Sequence, residues 1–233
     1  MSAPFRVVFA IFPGVAQLDF TGPYEVLCRL PGAQCVVAST DGQPVTVAGG
    51  LSFGNIARLA DVEHCELLCV PGGAGIVEAM ADGGFLEQLR RLAASARYVT
   101  SVCTGSLLLG AAGLLAGRRA ACHWAWRDGL EAFGARPDPA RVVRDGNVIT
   151  GGGVTAGIDM ALTVMAEIAG EDCAKAVQLA IEYAPQPPFR AGRPEDAGAD
   201  LVASVAARFQ RMRPAREAAI RAAAERLRSA QRS

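Results

Sequence analysis

The chain has 233 residues, 51% of them apolar, and its Lys+Arg and Asp+Glu counts balance at 23 each. That length holds one large α/β domain, or one domain plus a helical extension, with a sizeable core. Nothing in the even charge argues for nucleic acid, a membrane surface or a polyanion as partner, and none is expected. Seven cysteines, an odd number in a chain this long, exclude a disulfide framework.

The N-terminus, MSAPFRVVFAIF, lacks a secretory pattern, and no apolar run reaches the length of a membrane span, so a cytoplasmic location is expected. A first buried strand is predicted over Arg6 to Phe12. A helix is predicted from Pro23 to Leu30 and a second strand from Gln34 to Ser39. Val45 to Phe53 reads as a small β excursion that turns at Gly49-Gly50. Glu66 to Val70 is a strand ending at Pro71-Gly72-Gly73. A helix over Phe85 to Ala96, a strand over Tyr98 to Val102 and an apolar helix over Gly105 to Leu115 follow. Ala120 to Trp124 reads as a short strand and Trp126 to Phe133 as a helix. Arg141 to Asp145 and Asn147 to Thr150 flank a hairpin-like Asp145-Gly146 turn. Two helices are predicted over Thr155 to Ala169 and Glu171 to Tyr183.

Strands alternate with helices, and the strands are continuous apolar runs. This is the pattern of a mostly parallel sheet covered by helices on both faces, a three-layer α/β sandwich. Residues 1–190 form that domain. Residues 184–199 are rich in Pro and Gly and are expected to be irregular. Residues 191–233 are expected to be a helical extension packing on the same domain. Residues 208–232 carry eight Arg against two Glu; a solvated helix face is favoured there over a basic contact arm.

Chemistry in an open α/β sheet gathers at the carboxyl ends of the strands. At one of them stands Ser101-Val102-Cys103-Thr104-Gly105: a β-branched strand, a nucleophile-type residue, then a helix. This is the layout of a nucleophile elbow, with backbone strain expected at Cys103. The helix N-terminus there is expected to lower the thiol pKa. The competing reading is a buried structural cysteine. Asp19 follows the first strand, at the same edge, and is either a proton-transfer partner or a helix cap. Gly72 and Gly73 supply either amide donors for developing negative charge or a tight turn. The run Gly151-Gly152-Gly153 before a long helix allows close backbone approach, and Val154 beside it is a candidate substrate contact, with Ala16, Tyr24 and Trp124. No Walker or dinucleotide fingerprint is present. His123 either orients Cys103 from behind or is a packed histidine with one satisfied nitrogen; the second is favoured. His64-Cys65 with Cys69 lacks zinc-like spacing, and no metal site is expected.

The segments FPGVAQLDFTGPYEVL, VPGGAG, RYVTSVCTGSLLLGAAGLL, HWAW, VVRDGNVITGGGVTAGIDMALT and VQLAIEYAPQPPF together resemble the ThiJ/PfpI-type superfamily over roughly residues 7–190. Within it, QLDFTGP, SVCTGS and EYAPQPPF resemble the isocyanide hydratase branch. The resemblance implies a flavodoxin-like fold and a homodimer. It implies Cys103 as nucleophile, Asp19 as acid/base and a contribution from Thr104. It also implies hydration of a small isocyanide to an N-substituted formamide without metal or organic cofactor. Peptidase-like members place His directly after the nucleophile, where this chain has Thr104. Related regulators carry a C-terminal helix-turn-helix region, whereas 41 residues follow Gly192 here, without two such units. A ligand-sensing domain and a redox-sensing cysteine are the alternatives.

Overall fold

A computed structural model describes residues 4–230 and 232. In chain order it contains β1 (Phe5–Ala10), α1 (Gln17–Leu27), β2 (Ala33–Ser39), β3 (Val45–Thr46), β4 (Ser52–Phe53), β5 (Ala57–Arg58), β6 (Leu67–Val70), α2 (Ile76–Ala81) and α3 (Gly83–Ser95). There follow β7 (Tyr98–Val102), α4 (Gly105–Ala111), β8 (Arg119–Ala120), β9 (Arg136–Pro137), β10 (Val142–Asp145), β11 (Val148–Gly151), α5 (Ala156–Ala169), α6 (Glu171–Ala180), α7 (Pro194–Ala197), α8 (Ala199–Phe209) and α9 (Arg213–Ala230). Seven strands make the central sheet in the order β10-β11-β7-β6-β1-β2-β5. Every neighbouring pair is parallel except β10 with β11.

That order contains a reversal. The chain steps one way from β1 to β2 and the opposite way from β6 to β7. Right-handed crossovers therefore put α1 on one face and α2 with α3 on the other. On the first face α1 packs on α5, and α5 on α6. On the second, α9 packs on α2 and α4. β6 and β7 are buried along their whole length, as the unbroken apolar runs implied. At the reversal the carboxyl ends of β1, β6 and β7 open a crevice, the place where ligands enter such sheets.

Several boundaries differ from the sequence reading. α1 starts at Gln17 rather than at Pro23, which lies inside it. Proline removes one i to i−4 hydrogen bond, and the helix tolerates this because its buried face carries Phe20, Val26 and Leu27. Asp19 thus sits in the first helical turn and not in a loop. The helix after Cys103 stops at Ala111, because Gly113 takes φ +80°. The strand expected to reach Trp124 is only Arg119–Ala120, and the helix expected after it is a 3-10 helix, Arg127–Phe133. α6 ends at Ala180, three residues before Tyr183, and Glu182 adopts φ +50°. α2 went unread; it is short, but Ile76 and Met80 bury fully. α9 lays Ile220, Ala223 and Ala224 against the body.

Candidate active site

Cys103 follows the last residue of β7 and precedes α4 by one position. It adopts φ +58°, in the left-handed region that costs a non-glycine residue about 1–3 kcal/mol. The turn is held from both sides. The Cys103 N–H donates to the Gly151 carbonyl at the end of β11, 2.9 Å away. On the other side α4 presses against the end of β6. A Cβ on Gly72 would lie 2.4 Å from Thr104 Oγ1, and one on Gly105 would lie 2.1 Å from the Val70 carbonyl. Only glycine fits at these two positions. Beneath the elbow, Ser101 and Ser106 hydroxyls meet at 2.8 Å and Ser106 donates to the Ala121 carbonyl. The strained turn therefore rests on a buried, hydrogen-bonded floor.

Asp19 is fully buried. Its Oδ2 accepts the Gly72 N–H at 3.0 Å, and its Oδ1 has no hydrogen-bond partner by geometry among the described residues. Burial pushes the carboxyl from 3.8 up to about 6, against the opposing pull of the Cys103 thiol and the Gly72 amide. The thiol moves as well. Burial, then the Asp19 charge, then Cys122 push it well above its ordinary value, against the Thr104 amide. The expected lowering of the thiol pKa is thus corrected. A helix N-terminus contributes a partial charge, and here it is outweighed by desolvation and a full negative charge close by. The resting pair at neutral pH is a neutral thiol beside a largely ionised carboxylate.

Cys103 opens into a cavity of about 210 Å³. Thr104, Val154, His123 and Ala16 line it, and so do Trp126, Phe209, Met212 and Arg216. Three larger clefts, of about 230, 410 and 540 Å³, contain neither Cys103 nor Asp19. Tyr24 packs instead against Phe9 and Phe20, away from this cavity. Trp124 stacks on His123 and does not line it. His123 accepts the Ala125 N–H on Nδ1 at 3.3 Å and meets Phe209 edge-on. Burial and the Arg216 charge push its pKa down to about 4, so it is neutral at neutral pH. It is a packed histidine with one satisfied nitrogen that also walls the cavity.

The two glycines do something other than expected. Gly72 N–H is engaged by Asp19, and Gly73 N–H donates to Thr104 Oγ1 at 3.1 Å. Neither amide is free to receive an oxyanion. They hold the two side chains that flank the sulfur. Among the described residues no group of three or more His, Cys, Asp or Glu is clustered as a metal site.

Sequence reasoning missed the wall contributed by the C-terminal helices. The basic stretch is not uniformly solvated. Arg216 is only 4% exposed, and its guanidinium lies 4.1 Å above the Trp126 ring. A signal was present. Arg216 shares one helical face with Ile220, Ala223 and Leu227, by i, i+4, i+7 and i+11 spacing. An arginine on the apolar face of a helix is a different object from one on its wet face.

The DJ-1/PfpI family pattern matches residues 5–167. An isonitrile hydratase of Pseudomonas putida is 52% identical over 197 residues, covering 84% of this chain and 86% of that protein. An HTH-type transcriptional regulator of Pseudomonas aeruginosa is 30% identical over 188 residues, 76% of this chain but 53% of the regulator. The crystal structure of a ThiJ/PfpI family protein from Pseudomonas syringae superposes with a TM-score of 0.89 at 38% identity, covering 95% of this chain and 90% of that one. A strained cysteine elbow on a mostly parallel sheet, matched from β1 into α5, gives the assignment: the chain belongs to the DJ-1/PfpI family.

Proposed function

We propose that this chain is an isocyanide hydratase, converting R–N≡C and water to an N-substituted formamide with Cys103 as nucleophile and Asp19 as acid/base. The observation that carries the reading is the buried pair itself: a protonated thiol that opens on a small, largely apolar cavity, with a fully buried carboxyl raised to about 6 beside it. The 52% identity to an isonitrile hydratase supports it.

The pair suits this carbon. An isocyanide accepts a proton and a nucleophile at the same atom. Asp19 takes the thiol proton and passes it to the terminal carbon as sulfur attacks, giving the thioimidate R–N=CH–S–Cys103. Asp19 is then a carboxylate again. It draws a proton from water as the oxygen adds to carbon, and that proton goes to nitrogen. The C–S bond breaks, the hydroxyl proton returns through Asp19 to sulfur, and the formamide leaves. One group serves in both half-reactions because its pKa lies near the working pH. Thr104 supports the sulfur through its amide. Val154 and His123 form the walls.

Acyl transfer fits less well, because it needs free donors at an oxyanion. The amides of Cys103, Gly72 and Gly73 are all engaged. A redox sensor would keep its thiolate exposed and acidic; Cys103 is buried and its pKa is raised. The regulator relative leaves the hydration reading in place, since its match extends over about half of its own length. A homodimer in a reducing, cytoplasmic setting completes the proposal. Seven free cysteines and the exposed side chains of Leu179 and Phe189 support it. Among the described residues no helix is long and apolar enough to cross a membrane. Residues 191–233 act as one domain with residues 1–190, because α8 and α9 supply part of the cavity wall.

The test is turnover of cyclohexyl isocyanide, followed as N-cyclohexylformamide. Formamide production by wild type at the rate of a Cys103→Ala control refutes the enzyme. Intact-mass analysis during turnover is expected to show an adduct on Cys103 equal to the mass of the isocyanide.

A further inference from the structure

The hydration chemistry uses Cys103, Asp19 and their supporting amides, and leaves one charged group in the cavity without a task. Arg216, from the first turns of α9, lines the same 210 Å³ space as Cys103. It is 4% exposed, yet no carboxylate among the described residues lies within ion-pair distance of it. Its helix neighbour Arg213 is the one that pairs with Glu217. Glu78 acts on it only through space. Five N–H donors sit on a guanidinium. Here Nη2 reaches the Gly73 carbonyl at 3.5 Å, and Nε is buried without a partner. The Trp126 face beneath it, 4.1 Å from Cζ, fixes the plane of the group but does not use its N–H donors.

A buried cation whose donors are mostly unspent is costly unless something pairs with it. Burial of this kind inside a substrate cavity marks a binding group. A planar fork of donors matches a carboxylate better than any neutral group. Apart from Thr104 and the neutral His123, the remaining side chains of the lining are apolar, Val154, Phe209, Met212 and Trp126 among them. One cavity thus offers a nucleophile, a short apolar stretch and a cation.

We propose that Arg216 anchors an anionic group on the substrate, so that the preferred substrates are small isocyanides carrying a carboxylate a few bonds from the isocyano carbon. This rests on the hydration reading and adds the substrate class to it. Arg216 is then a specificity residue supplied by the C-terminal extension.

The test compares isocyanoacetate with methyl isocyanoacetate, which has the same isocyano group with the charge masked. Wild type is expected to favour the anion in kcat/KM by about tenfold or more, the scale of one charge-assisted contact. Arg216→Met is expected to lower that ratio at least about tenfold, and Arg216→Lys to restore part of it. A wild-type ratio near one overturns the proposal. So does an Arg216→Met protein that slows both substrates equally, because Arg216 then serves the sulfur or the fold. Cyclohexyl isocyanide, run in parallel, reports on hydration alone: its turnover without an anion preference sinks the anchor and spares the hydratase. Binding supplies a readout that needs no turnover. Tryptophan fluorescence of Cys103→Ala protein, titrated with the two isocyanoacetates, is expected to show tighter binding of the anion, lost in Cys103→Ala/Arg216→Met. Equal affinities overturn the anchor whatever the kinetics show. An Arg216-dependent preference seen with a protein that hydrates nothing keeps the anion site and discards the hydratase.

Discussion

Replacing Asp19 by Asn tests the buried carboxyl through stability rather than rate. Asn keeps an oxygen for the Gly72 N–H and removes the charge. In the folded protein the carboxyl titrates near 6, against 3.8 as its ordinary value. That difference of about two units corresponds to roughly 3 kcal/mol, at about 1.4 kcal/mol per unit. The direction follows from which state holds the proton. Below about pH 4 the group is neutral in both states and costs nothing. As the pH rises from about 4 to 6 the unfolded chain ionises first, which draws the equilibrium toward unfolding. Above about pH 6 both states are ionised and the full cost is in place. Wild type therefore loses about 3 kcal/mol through this group across that window, and Asp19→Asn does not. The assay is denaturant or thermal unfolding of both proteins at several pH values. The stability difference in favour of Asn is expected to grow by about 3 kcal/mol, or about 6–12 °C in Tm for a chain of this size. A difference that stays flat from about pH 4 to about pH 7 refutes the reasoning, because the carboxyl then titrates alike folded and unfolded.

The same pair makes further predictions. Activity on cyclohexyl isocyanide is expected to fall on the acid side with an apparent pKa near 6, where Asp19 takes up its proton; a flat profile from about pH 5 to about pH 8 removes Asp19 as the base. Iodoacetamide is expected to label Cys103 slowly at neutral pH, and faster in Asp19→Asn, because a charge that raises the thiol pKa is gone; peptide mass mapping reads both rates. Gly72→Ala is expected to cost about 3 kcal/mol or more, or to prevent folding, since its Cβ would lie 2.4 Å from Thr104 Oγ1. Cys103→Gly is expected to be more stable than Cys103→Ala by about 1 kcal/mol, because glycine accepts φ +58° without strain; unfolding curves compare the two.

The sheet was legible because its strands are short apolar runs that end at turn residues. Tyr98–Val102 was read to the residue, and the hairpin around Asp145-Gly146 nearly so. The elbow was legible for the same reason: a β-branched run stops at Cys103 and a helix-forming run begins two residues on. Less was readable where tertiary contacts override local preference. Pro23 marked a helix start by propensity, yet α1 runs through it because its apolar face meets the sheet. Gly72 and Gly73 stayed open between amide donors and a tight turn, because a sequence does not reveal what already accepts from an amide. The helix terminus pointed to a lowered thiol pKa and a charged Asp19 to a raised one, and which of them prevails rests on burial and on the position of Asp19, which are facts of three dimensions. Arg216 was hidden in a count of eight arginines; its face on the helix, not its charge, separates it from the other seven.

A raised thiol pKa looks unsuited to a nucleophile, and the substrate explains why it is not. A thiolate would attack most electrophiles faster, and an enzyme that acts on carbonyls gains from lowering the pKa. An isocyanide carbon has a lone pair and must receive a proton along with the sulfur. The Cys103–Asp19 pair stores that proton at the site of attack, on sulfur, with a carboxylate positioned to move it. Full ionisation of the thiol would discard the proton to solvent before the substrate arrived. It would also place two negative charges together in a buried site, which their mutual repulsion and desolvation oppose. The site is thus matched to an addition in which sulfur and hydrogen end on the same carbon.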